Sequence, residues 1–570
     1  MKAPASSAVR WLLLAALPVL LYFLLFARFA VDIPFGDDYA VLSFVLNFTN
    51  PHVPAKAPLL FSQHNEHRIV TLRMVLLLFH QAFQRIDFVL IALLGNLGLL
   101  GIAALFSRMP APQALARPDP LPRSWAAAAA ILPPLYLIFQ LQHHEILNWA
   151  MCAFTNVFVL LFSFLSLYLL IRSDAVRAFV LAIGFSILAA YTNGNGVFVF
   201  FIGFVVLLLR RKFRRLAWWA ACGLIYIGFY FHGFVRNPEH PDITAILKTG
   251  LPRLVEYTLS VIGSFADFGQ KGGPIPILAG LVLLAGTAVA LKKGIWRKNA
   301  FLTSGLAFLL LSFAANTVTR APMGLAMAFM PRYKLLSILM LLCVYFSVLE
   351  LTRRKKTVIL GFTAFAVLFS AYSFYANYRT VRDRRPVLSM NLVEWSAYKA
   401  DLPYPNAAQA EVILRAASVR RVYRAPRALN ILRPRFPFGG IDGGQTAELE
   451  AGKDLLFSGW ALDDGGRPSV IVRAGSPAEE REPAARPDVS MFIGKAVFRS
   501  GSIPEAERAY YGFSGTDRMI WEFRVKREDL LPVERNGKID ISFFVRDEDG
   551  QETLLGTRSL RHEGGKYTRK

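Results

Sequence analysis

Long apolar runs separated by short polar segments fill the first two thirds of the chain. They lie at 11–31, 86–106, 124–140, 150–171, 178–192, 196–209, 216–234, 275–291, 300–318, 335–351 and 357–376. A helix that crosses a bilayer needs about 20 mostly apolar residues, so these runs predict about 11 transmembrane helices. Asn193-Gly194-Asn195-Gly196 interrupts 178–209, which reads as two short spans or one broken unit. The first run is long, and Phe26-Ala27-Arg28-Phe29-Ala30 is a poor cleavage site, so it reads as a retained anchor. From about residue 440 the period changes to two. Asp454–Leu462, Ser469–Arg473, Met519–Val525 and Ile539–Val545 alternate as strands, with turns at Asp463–Gly466 and Asp547–Gly550. The pattern predicts an all-α polytopic membrane domain over 1–376, a basic stalk or linker over 377–439, and a small all-β sandwich over 440–570.

Composition supports that division. Of 570 residues, 54% are hydrophobic and 18% are charged, with a mean hydropathy of +0.39. Soluble chains carry about 25% charged residues. Disorder, collagen and coiled coil are excluded by the same numbers. The 3 cysteines all lie in apolar runs and read as small hydrophobes, not as a disulfide framework. The net charge of +24 is unevenly placed: residues 440–570 carry −3 and the remainder +27. The excess sits in short loops between apolar runs, which argues for a membrane protein and against a nucleic-acid partner.

Those loops set an orientation. Lys2 and Arg10, then Arg108, Arg117 and Arg123, then Arg172 and Arg177, then Arg210–Arg215, then Lys292–Lys298, then Arg353–Lys356 mark every second loop as cytoplasmic. The N-terminus is therefore inside, and with an odd number of spans the C-terminal module is extracytoplasmic. Arg379, Arg382, Arg384 and Arg385 lie at the membrane exit, and Arg415, Arg420, Arg421, Arg424 and Arg427 follow on an expected helix. They read as a stalk on anionic headgroups, with a hold on a phosphorylated lipid as the alternative.

The outer loops hold the candidate chemistry. The first contains Gly36-Asp37-Asp38, two adjacent carboxylates that can accept a proton from a hydroxyl or bind a divalent ion; capping the next helix is the competing role. The same loop carries His64, Glu66, His67, Arg68 and Arg73; if helical, His64 and Arg68 share a face. Gln140, Gln142, His143, His144 and Glu145 press a second acid against the membrane. Arg236, His240, Asp267 and Lys271 follow, then Arg320, Arg332 and Lys334, whose positive groups suit a phosphate. Trp460 and Trp521 pack a core or stack on sugar rings.

The inward N-terminus, the Gly-Asp-Asp of the first outer loop, His144-Glu145, Pro331-Arg332-Tyr333 before a span and a C-terminal outer domain together resemble the C-type glycosyltransferase superfamily. That superfamily includes protein mannosyltransferases and aminoarabinose transferases. The FSGWALDDGG stretch resembles β modules attached to bacterial surface-glycan enzymes. The resemblance implies transfer of a sugar from a polyprenyl-phosphate carrier to a glycan, lipid or protein acceptor at the outer face of a bacterial inner membrane. It implies Asp37 or Asp38 as general base, with His144 and Glu145 orienting the acceptor or a metal; His64 and His67, three apart, are spaced to join them as acceptor or metal ligands. Arg332 with Arg320 or Lys334 would hold the donor phosphate. The superfamily leaves a divalent cation open. Two other readings stand beside it: a lipid or polysaccharide transporter or flippase, and an outer-face polysaccharide polymerase or ligase.

Overall fold

The structure, a computed structural model, describes residues 5–109, 123–235, 243–269 and 272–398 without a break, then 402, 404, 407–424 and 426, and strands between 438 and 569. Lys2, Arg117, Arg236, His240, Lys271 and Arg427, with the turns expected at 463–466 and 547–550, lie outside the described residues. The chain divides into two compact units. One comprises Met1–Val41, Leu60–Leu78 and Asp87–Leu392; the other comprises Leu42–Leu59, Phe79–Ile86 and Val393–Lys570.

The first unit is helical. Each of the apolar runs contains a helix. Among the described residues, 6 helices are long and apolar enough to cross a membrane: Phe88–Phe106, Ala150–Arg172, Pro274–Lys292, Ala300–Met323, Pro331–Leu351 and Lys355–Ser389. Shorter apolar helices occupy Leu13–Phe29, Val70–Phe83, Val176–Ala190 and Gly194–Leu209. Val70–Phe83 falls where the sequence reads as outer loop. Many large apolar side chains are exposed along these helices, among them Leu20, Leu24, Leu209, Leu224, Phe229 and Val282. Exposed apolar faces of that extent suit a hydrocarbon solvent rather than water.

Close packing is built into the sequence at one seam. Gly95, Gly98 and Gly101 recur every third residue on Phe88–Phe106, and a Cβ at Gly95 would lie 2.5 Å from the Ala153 backbone. Small residues at that spacing let two helix backbones approach directly. The helix starts cleanly, because Asp87 accepts the Leu90 N–H at 3.1 Å and Asp32 accepts the Phe88 N–H at 2.8 Å.

The last apolar helix does not stop at 376. It runs unbroken as Lys355–Tyr398, through the start of the expected stalk. Ser373, Asn377, Val381, Leu388 and Leu392 are buried along it, at steps of four and seven residues that keep one face inward. Position 384 is in phase with that face.

In the second unit, Arg420 donates to Leu46 O at 2.6 Å and Thr49 Oγ1 at 2.9 Å, and Ile86 N donates to Val422 O at 2.7 Å. The helix expected here is shorter than its arginines: Ala407–Val419 holds Arg415, while Arg420, Arg421 and Arg424 follow its end. The strands β1 (Phe438–Ile441), β2 (Leu455–Leu462), β3 (Ser469–Gly475), β4 (Met491–Lys495), β5 (Val497–Arg499), β6 (Ile520–Val525), β7 (Lys538–Arg546), β8 (Glu552–Glu563) and β9 (Lys566–Arg569) form two sheets. Their orders are β1-β2-β6-β5 and β4-β3-β7-β8-β9, antiparallel throughout. Ile539, Ile541 and Phe543 of β7 are buried at alternating positions, as a half-covered sheet requires, whereas Val470, Ile471 and Val472 of β3 are all buried. Phe457 of one sheet meets Phe543 of the other, ring centroids 5.0 Å apart.

Candidate functional site

The two adjacent acids of the first loop have different surroundings. Asp38 opens helix Asp38–Thr49. Its Oδ2 accepts the Phe35 N–H at 3.2 Å and its Oδ1 accepts the Met151 N–H at 2.9 Å. The turn between passes through Gly36 at φ +53°, where a Cβ would also lie 3.0 Å from the Trp149 indole. Both facts favour glycine. Asp38 is 1% exposed. Burial pushes its carboxyl up to about 7, against the two backbone donors and Arg384, with Asp37 adding to the rise. Asp37 is the open member of the pair. Its side chain is 40% exposed, and its Oδ1 lies 4.0 Å from His64 Nε2. Burial pushes the His64 imidazole down, with Asp37 opposing it.

The second acid is held from behind. Tyr22 donates to Asn96 Oδ1 at 2.6 Å, and Asn96 Nδ2 donates to Ile146 O at 3.1 Å and Leu147 O at 3.0 Å. This anchors the short helix His144–Asn148, so that Glu145 Oε2 accepts Arg332 Nη1 at 2.9 Å and the Arg332 N–H at 3.4 Å. The Arg332 guanidinium lies over the Trp149 ring at 5.6 Å and the Tyr333 ring at 5.1 Å. Trp149 meets Phe35 edge-on at 5.2 Å. On Phe35 sits a further guanidinium, Arg384, 4.2 Å from the ring centroid. A row Arg332–Trp149–Phe35–Arg384 therefore runs beside Asp38, whose carboxylate is tied to Phe35 itself.

The histidines nearby are neutral at physiological pH. Burial pushes His143 down to about 3, and burial with Arg384 and Lys334 pushes His144 to about 3. Gln140 Nε2 faces His143 Nδ1 at 3.1 Å. Neither imidazole supplies positive charge to an anion.

Three expectations change. Residues 64–67 are not helical: His64 and His67 exchange backbone hydrogen bonds of 2.7 and 2.8 Å across a turn with Asn65 at φ +49°. Asn in the left-handed region is what closes it. His67 is turned toward Gly194, whose Cβ would lie 2.8 Å from His67 Nδ1, while His64 faces Asp37. Lys334, expected beside a phosphate, is 1% exposed; it donates to Gln142 Oε1 at 3.1 Å, to Asp267 O, and lies 3.4 Å from Asp267 Oδ2. Its charge is fully committed inside the protein. Arg320 lies 3.6 Å from Glu66 Oε2, at the His64–His67 turn. The Tyr257 hydroxyl, held up chiefly by burial, feels both Arg320 and Arg332.

Asp38, His144, Glu145 and Arg332 thus come together, with Asp37 and His64 adjoining. Phe35, Trp149 and Arg384 complete the cluster; the sequence gives no sign of Phe35 or Trp149 and names Arg384 only within the basic run at the membrane exit. Arg384 was readable as the inward position in the 377, 381, 388, 392 stripe. Among the described residues no three His, Cys, Asp or Glu side chains gather as a metal ion requires. No step is routed through a cation. Comparison with known proteins returned no matching family model, no matching curated protein and no matching solved structure.

Proposed function

We propose that the chain is a membrane glycosyltransferase that moves a sugar from a polyprenyl-phosphate donor to an extracytoplasmic acceptor. In this reading the eleven helical runs span the membrane, the basic loops face the cytoplasm, and the two C-terminal sheets close as a sandwich outside. The observation that supports it most is the meeting of Asp38, Glu145, Arg332 and Arg384 around Phe35 and Trp149. Acids from the first loop and arginines from late in the chain are what sugar transfer from a lipid phosphate needs.

Asp37 is the base. It is accessible, whereas both Asp38 oxygens are engaged by backbone donors. The acceptor hydroxyl gives its proton to the Asp37 carboxylate as its oxygen bonds to the anomeric carbon. The bond from that carbon to the phosphate oxygen breaks, and the lipid phosphate leaves with the electron pair. One displacement inverts the anomeric centre. Charge grows on the leaving phosphate in the transition state, where a fixed guanidinium stabilises it more than in the ground state. Asp38 is a positioning residue that fixes the turn carrying Asp37.

The test is sugar transfer from a polyprenyl-phosphate donor in membranes. Asp37→Asn is expected to lower the rate about 10²–10⁴-fold, the usual worth of a general base. Full activity in an Asp37→Asn, Asp38→Asn double variant overturns the reading. The transporter alternative has one observation in its favour. Val176–Ala190 and Phe198–Leu209 are short helices joined through a tight turn at Gly194–Val197, and broken helices mark transport sites. Movement of the lipid-linked sugar across vesicles without transfer would favour it.

A further inference from the structure

We propose that Arg384 binds the phosphate of a long-chain lipid, gripping it across the Phe35–Trp149 aromatics from Arg332. The inference rests on the donor class of the preceding section and deepens it by naming the residue that holds the anion.

Arg384 Nε and Nη2 are buried and have no hydrogen-bond partner among the described residues. A guanidinium carries five N–H donors, and a buried charged donor left unpaired is costly. The neighbouring acids Glu145 and Asp38 offset part of that charge but hydrogen-bond neither nitrogen. Asp38 gives both oxygens to the Phe35 and Met151 amides, and Glu145 Oε2 is taken by Arg332. The ring of Phe35 supports the flat face of the guanidinium and leaves its edge, where the N–H groups lie, for a ligand. Another buried donor, Nε1 of the Trp149 ring beside Phe35, also lacks a partner among the described residues.

An oxyanion with several oxygens satisfies this arrangement. Guanidinium groups bind phosphate through paired donors. Arg384 lies on Lys355–Ser389, a helix long and apolar enough to cross a membrane. An anion reaching it from a headgroup arrives with its apolar chain alongside apolar helix. That argues for a lipid phosphate rather than a free one. Arg332 differs from Arg384 in already holding Glu145, so the unpaired guanidinium is the stronger anion ligand.

The experiment uses the full chain in phosphatidylcholine nanodiscs and reads binding by native mass spectrometry. The probes are a polyprenyl monophosphate, the matching uncharged polyprenol and inorganic phosphate. The wild type is expected to prefer the phosphorylated lipid to the alcohol. Arg384→Gln is expected to weaken the phosphorylated lipid about 10–100-fold, as loss of a charge-assisted hydrogen bond implies, and to leave the polyprenol unchanged. Unchanged polyprenol binding also reports that the variant is folded. Arg384→Lys keeps the charge and is expected to recover part of the loss. Equal preference in wild type and Arg384→Gln overturns the assignment, as does a wild type that does not distinguish the phosphate from the alcohol. Binding of inorganic phosphate at Arg384 with none of the lipid overturns the lipid source. The outcome is separable from the transferase reading: a protein that holds the phosphorylated lipid through Arg384 yet transfers no sugar keeps this inference and loses that one.

Discussion

Two groups of charged side chains in the helical unit use the same chemistry and differ in closure. At Lys334, the ammonium, Asp267 and Gln142 satisfy one another, and both charged partners are almost wholly buried. At Arg332 and Arg384, one guanidinium holds Glu145 and keeps 21% of its side chain exposed, and the other has buried nitrogens with no hydrogen-bond partner among the described residues. A closed set of charges fixes helices against each other. An open set leaves donors that no protein group among the described residues takes up. Residue type alone did not separate them, since Lys334 and Arg332 are two positions apart on one helix.

The sharpest way to break this comparison is Lys334→Met. It leaves Asp267 buried and unpaired, which is expected to destabilise the fold by about 3–5 kcal/mol. Thermal unfolding in detergent reads it, and a compensating Asp267→Asn is expected to restore much of the loss. Destabilisation absent from Lys334→Met would mean that the closed group is not structural.

A smaller effect separates Asp38 from Asp37. The folded protein holds the Asp38 carboxyl at about 7, whereas an unfolded chain titrates it near its ordinary value of 3.8. The folded state therefore keeps a proton that the unfolded chain has released. This contribution to stability is complete below about pH 4 and is lost as pH rises through 7. Wild-type unfolding temperature is expected to fall across that window by more than that of Asp38→Asn. Identical slopes would show that Asp38 does not titrate there.

The smallest expected change is at the surface pair Lys212–Asp174, 3.4 Å apart with side chains 45% and 68% exposed. Lys212→Ala is expected to alter stability by no more than about 0.5 kcal/mol. A larger loss would remove the distinction between closed and solvated charges.

Much of the helical unit was legible in the chain, because a membrane-crossing helix must be apolar along its length and its hydrogen bonds are internal. The period-two stretches likewise located strands such as β2 and β7. The His64–His67 segment was not legible as a turn, since its conformation depends on one left-handed Asn and a backbone bridge. The apolar run ends at 376 because hydropathy falls there, while the helix and its inward stripe continue to Leu392.

Sequence alone determined the apolar helices, the alternating strands, and which short segments carry acids, histidines and arginines, because these follow from local composition and period. Only the tertiary structure decided which charge meets which. It buried Asp38 on two backbone amides, left Asp37 open, locked Lys334 to Asp267, and brought Arg384 to the ring of Phe35, some 350 residues earlier in the chain. The worth of a charge depends on solvent and partners, and those come from segments far apart in sequence.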